Sequence, residues 1–137
     1  MTGKETHSTI KLIVTASDPL YEALSEKVRA EGQFPWRARD VLQGFEQATR
    51  LGELQADRAE EDLTSRLKLA GIVIDMSLRA ADTLLEALHS RQSTSSIPLM
   101  AVKCDCQVLP LALRRLCTDV LDLNSLAPPG AQGMREP

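Results

Sequence analysis

Asp75 closes the apolar run Ala70-Gly71-Ile72-Val73-Ile74. An acid at the carboxyl end of a buried parallel strand lies at the edge where open α/β sheets place their chemistry. A carboxylate there can attack phosphorus, hold a cation, or pair with a base. Ser17 and Asp18 follow the run Ile10–Val14, and Lys103 follows the run Ile97–Val102, so all three are expected at the same edge. Unit charges ~4 Å apart attract by about 4 kcal/mol at an effective dielectric of 20, before desolvation is subtracted. Lys103 within that reach would neutralise Asp75 permanently. Other reactive residues complete no site. Cys104 and Cys106 are two thiols without the further ligands a tetrahedral metal centre needs, and the histidines are His7 and His89 alone. No GxGxxG or Walker motif is present. The sequence therefore predicts no catalytic group, no bound metal and no cofactor.

The elements that must position these residues follow from periodicity. The run Ile10–Val14 reads as a strand, and Thr15-Ala16-Ser17-Asp18-Pro19 as a turn into a helix, with Asp18 as N-cap and Pro19 at the first helical position. Leu20, Ala23, Leu24 and Val28 share one helical face, and Gly32 ends the helix. Phe34–Ala38 is a short strand whose Pro35 suits an edge or a strand start. Val41, Leu42, Phe45, Ala48 and Leu51 mark a second helix, and the charged stretch 53–68 a further helix or an extension of it. Gly71–Asp75 is a buried strand, 80–91 a helix, Ile97–Val102 a strand, 108–116 a helix, and 120–123 a last short strand. This alternation predicts a mostly parallel sheet covered on both faces, with right-handed crossovers.

Composition narrows the classes. The chain has 137 residues, 43% hydrophobic and 3% aromatic, which is enough for one domain with an aliphatic core. A net charge of −3 argues against a nucleic-acid partner, which needs a basic face. No run approaches the ~20 apolar residues of a membrane span. The polar start, Met1–Thr9, lacks the apolar core of a signal peptide, and three cysteines fit a reducing compartment. Residues 1–9 and 127–137 read as tails around one domain, 10–126, with a cytoplasmic location.

The order Ser17-Asp18-Pro19-Leu20, Ala38-Arg39-Asp40, Ile72-Val73-Ile74-Asp75 and Ile97-Pro98-Leu99-Met100-Ala101-Val102 resembles the receiver domains of bacterial response regulators. The resemblance implies a flavodoxin-like fold of five strands in three α/β/α layers. It implies that Asp75 stands at the phosphate-acceptor position. In such domains two acids after the first strand hold Mg²⁺, while a hydroxyl after the fourth strand and a Lys after the fifth hold the phosphoryl oxygens. Here Ala16 and Ser17 occupy the acid pair, with Asp18 next to them. Lys103 occupies the hydroxyl position and Cys104 the small residue after it, and no Lys follows Lys103. The resemblance therefore implies a degenerate acceptor pocket of Asp75, Lys103, Asp18 and Ser17.

The interval from the acid-pair position to Asp75 is longer than the family's usual one, and the surplus maps to 53–68. A helix there would keep Glu53, Asp57, Glu60, Glu61 and Asp62 wet and present Leu54, Leu63 and Leu67, the last two as an i,i+4 pair, to a partner. Leu113 and Leu116 would add to an interaction surface near the last strand. The expected role is a pseudo-receiver that binds a protein partner, or a second copy as a homodimer. A genuine Asp phospho-acceptor and an anti-sigma-antagonist-like domain using Ser77 remain the alternatives.

Overall fold

The computed structural model describes residues 8–57, 67–92, 94–103 and 109–122. Five strands form one sheet: β1 (Ser8–Val14), β2 (Phe34–Ala38), β3 (Leu67–Asp75), β4 (Leu99–Lys103) and β5 (Asp119–Asp122). Their order is β2-β1-β3-β4-β5 and every pairing is parallel. This is the flavodoxin-like order, and it favours the receiver resemblance over the anti-sigma-antagonist alternative. The connecting helices are α1 (Asp18–Ala30), α2 (Val41–Asp57), α3 (Ala81–Ser90) and α4 (Leu111–Arg114).

Side-chain alternation along the strands makes two cores. Leu12, Val14, Ile72, Ile74, Leu99 and Ala101 face α2 and α3, meeting Ala48, Leu84, Leu85 and Leu88. Ile13, Val73 and Val102 face α1, meeting Leu20, Leu24 and Val28. Leu69 joins Ile72 and Ile74 in the first core although the spacing breaks a strict period of two. The register explains it: Ile10 pairs with Leu69 but Lys11 with Gly71, so Ala70 is an extra residue that resets the phase.

Several boundaries differ from the sequence reading. β1 begins at Ser8, inside the stretch read as a tail. Ser17, not Asp18, is the N-cap of α1. Its Oγ accepts from the Leu20 N–H at 3.3 Å, and Asp18 is the first helical residue. Gly32, at φ +83, follows the end of α1 as expected. The helix expected over 108–116 is the four-residue α4. Pro110 has no N–H to donate and stands as its N-cap, and 3₁₀-type bonds from Leu116 N to Leu113 O and Cys117 N to Arg114 O close it. The stretch 53–68 is not one helix: 53–57 continue α2, and Leu67 and Lys68 open β3. The helical i,i+4 pair of Leu63 and Leu67 is thereby excluded, because Leu67 lies in a strand. Leu63, the tail 127–137 and the Cys104/Cys106 pair lie outside the described residues.

Candidate functional site

β1 and β3 run side by side with Val14 opposite Ile74, so the next residues, Thr15 and Asp75, meet at the carboxyl edge. Both are buried, Asp75 at 5% exposure. A buried carboxylate needs donors to replace water. Thr15 Oγ1 donates to Asp75 Oδ2 at 2.7 Å. Ser77 donates to Oδ1 twice, from its N–H at 2.9 Å and its hydroxyl at 2.7 Å, an Asx-turn closed by a second donor. Thr15 Oγ1 in turn accepts from the Ser17 N–H at 3.0 Å, which ties the turn after β1 to the acid.

A cation does stand near this edge, on β2. The Arg37 guanidinium places Nη1 2.9 Å from Asp18 Oδ1, and its Nε and Nη2 donate to the Thr15 carbonyl, both at 3.4 Å. The same guanidinium lies over the Tyr21 ring, 4.9 Å from its centroid. Arg39 is 3.9 Å from the same Asp18 oxygen. Asp18 is thus turned toward two arginines.

Lys103 sits elsewhere than its sequence position suggested. It is the register partner of Asp122 on β5, and its Nζ lies 2.9 Å from Asp122 Oδ1. The register partner of Asp75 is Val102, so Lys103 is one residue out of phase with the acid. The ion pair inferred for Lys103 and Asp75 gives way to one between Lys103 and Asp122, while hydroxyls and an amide hold Asp75. With Asp122 half exposed, that ion pair is worth little.

The donor set does not fit the Mg²⁺ of an acting receiver. Ala16 carries no side-chain ligand atom, the Ser17 hydroxyl caps α1, and Asp18 is paired with Arg37, which leaves Asp75 without a second carboxylate to share the ion. Among the described residues no three His, Cys, Asp or Glu side chains cluster to hold a metal.

The structure therefore brings together Asp75 and Ser17, linked through Thr15, with Asp18 joined to the same turn through Arg37. Thr15 and Arg37 were not anticipated. Thr15 had a signal, since a hydroxyl residue directly after a central strand must lie beside the residue that ends its neighbour. Ser77 two residues after an Asp is a turn signal of the same kind. Arg37 had none, because its contacts depend on how α1 lies against β2. Of the expected interaction residues, Leu113 is buried and Leu116 partly buried, both against the larger core, so neither forms an open face. Leu54 lies in the last turns of α2.

Burial raises the pKa of the Cys117 thiol above its ordinary value. A raised thiol pKa leaves less thiolate near neutral pH, so iodoacetamide should label Cys117 slowly there, and faster as pH rises past 9. Peptide mass spectrometry in native buffer and in urea measures this. Equal native and denatured rates at pH 8 would refute it.

No protein-family model matches the sequence, and no curated protein matches it. Solved structures do match in fold. A sensor protein from Polaromonas sp. JS666 is 16% identical, with 85% of this chain and 84% of that chain covered and a TM-score of 0.65. A response regulator receiver domain (CheY-like) from Methylobacillus flagellatus is 15% identical, covering 93% and 99%, at a TM-score of 0.61. A response regulator receiver domain protein (CheY-like) from Methanospirillum hungatei JF-1 is 12% identical, covering 88% and 89%, also at 0.61. The chain has the receiver fold, and at these identities the likeness is one of fold alone. Among the described residues no helix is long and apolar enough to cross a membrane.

Proposed function

We propose that the chain is a non-catalytic pseudo-receiver, a protein-interaction module of bacterial signal transduction or localisation that works in the cytoplasm without phosphate control. The observation that carries this reading is the state of Asp75. Its two oxygens accept from Thr15 and Ser77, and the one acid after β1 is engaged by Arg37. Phosphoryl transfer to a carboxylate depends on cations that offset the charge gathering on the phosphoryl oxygens. Among the described residues hydroxyls and an amide, not cations, contact Asp75. The partner is a protein, or a second copy as a homodimer.

The second reading, a genuine acceptor, draws on one observation: Asp75 keeps the acceptor's place at the end of the central strand. One experiment separates the two. Incubated with acetyl phosphate and Mg²⁺, the protein is expected to show no hydroxylamine-labile adduct on Asp75 by mass spectrometry. An adduct that Asp75→Asn abolishes would overturn the pseudo-receiver reading.

A further inference from the structure

Ala80 opens α3 under two separate penalties. Its φ of +65 lies in the left-handed region, where the Cβ of an L-residue crowds the carbonyl oxygen that follows. It also stands at the N-cap of α3 and offers no side chain to the free N–H groups of the first turn. The other two long helices are capped. Ser17 Oγ accepts from the Leu20 N–H at the start of α1, and Asp40 Oδ1 accepts from the Gln43 N–H, at 2.8 Å, at the start of α2. In α3 the Thr83 N–H turns instead to the carboxylate of its neighbour Asp82, 2.8 Å away. A glycine at 80 would relieve the left-handed strain. The Ala80 side chain is exposed, so burial in the core does not call for it.

Strain of this kind persists where the surroundings over-determine the backbone. Ala80 lies between two fixed points. Upstream, the Met76 N–H donates to the Val102 carbonyl at 2.9 Å, and the Leu78 N–H to the Asp75 carbonyl at 3.1 Å. Ser77 clasps Asp75 Oδ1 with its N–H and its hydroxyl. Downstream, Ala81 and Leu84 are 2% and 3% exposed in the larger core, and the Leu84 N–H donates to the Ala80 carbonyl at 3.1 Å. The Ala81 N–H reaches back to the Leu78 carbonyl at 3.2 Å, which closes the turn between them. The downstream point is held by apolar burial, which water cannot replace. The upstream clasp is held by an exposed serine, whose bonds water can replace. Ala80 takes up the mismatch between the two.

We propose that residues 76–80 are a sprung link: the Ser77 clasp on Asp75 holds Ala80 in the left-handed region, and opening the clasp lets Ala80 and the first turn of α3 relax together. The bonding state of the buried Asp75 is thereby carried to the surface at the start of α3. A group that claims Asp75 Oδ1 from Ser77 would release the link, and a variant that removes the acceptor does the same. The inference goes beyond the interaction-module reading and does not rest on whether Asp75 accepts phosphate. It joins two sites through one element with two arrangements, which is the physical requirement for coupling between them.

NMR of the isotope-labelled full chain tests the link. The three-bond amide–Hα coupling and carbon shifts of Ala80 report its φ, and amide hydrogen exchange at Ala81 and Leu84 reports opening of the first turn of α3. In Asp75→Ala, which removes both clasp bonds, Ala80 should move to negative φ. Ser77→Ala, which removes the hydroxyl, should shift it the same way and serves if D75A fails to fold. Ala80→Gly should slow exchange at Ala81 and Leu84 by about 3-fold or more in the parent, because it relieves the strain. In D75A or S77A the same substitution should slow nothing, because the strain is already gone. Thr15→Val is the control: it removes the other donor to Asp75 and leaves both Ser77 bonds, so Ala80 should stay left-handed and A80G should still slow exchange. Ala80 remaining left-handed without the clasp overturns the proposal, since the core alone would then impose its φ. So does an equal effect of A80G with and without the clasp, or a T15V variant that behaves as D75A does, which would mark general loosening.

Discussion

Thr15→Val should lower the free energy of unfolding by about 2 kcal/mol, within the 1–3 kcal/mol expected when a buried acceptor loses its donor. The substitution keeps the side chain's shape, so it opens no cavity. It removes the donor to Asp75 Oδ2, 2.7 Å away, and the acceptor of the Ser17 N–H. Both consequences fall at a residue with 0% exposure, where water cannot take over. Because Asp75 and Thr15 satisfy one another, Asp75→Ala is destabilising too, leaving the Thr15 hydroxyl with nothing to donate to. The double variant should therefore cost less than the sum of the singles by about 1 kcal/mol or more, beyond the ~0.3–0.5 kcal/mol within which independent sites add. Urea titrations of the four proteins supply the cycle. Simple additivity would mean that the hydrogen bond contributes nothing and that Asp75 is held by other means.

The same pair of residues shows what a sequence can and cannot carry. Asp75 was legible because the run before it is apolar on both faces, as a central parallel strand must be. Its hydroxyl partners were within reach of the same reasoning, since strand order and register place Thr15 beside it. Lys103 was misplaced for the complementary reason. Both residues follow central strands and so reach the same edge, but phase along β4 assigns Val102 to Asp75 and Lys103 to Asp122. The start of β3 was hidden by Lys68 among charged neighbours and by the extra residue at Ala70, which breaks the period-two pattern. α4 was overestimated because apolar spacing continued through 108–116 while Pro110 delayed the first helical bond. The contacts of Arg37 depend on how elements pack, and no local pattern announces them.

Gly44→Ala should destabilise the domain by up to about 2 kcal/mol, against the usual sign. In a helix interior, Ala is favoured over Gly by about 1 kcal/mol. Gly44, however, lies where α2 crosses β1. A Cβ there would stand 2.9 Å from Val14 Cγ2, 3.0 Å from Val14 Cγ1 and 3.3 Å from Leu84 Cδ2. Val14 has 0% exposure and is stiff at χ1, so it cannot swing aside. Overpacking of this kind costs about 1–3 kcal/mol, enough to outweigh the propensity gain. Relief must then come from α2 moving outward. The expected result is a lower urea midpoint for G44A. Val14→Ala removes the opposing methyls, so V14A/G44A should lose less than the two singles combined. A G44A variant that melts above the parent would show that α2 does not approach β1 this closely.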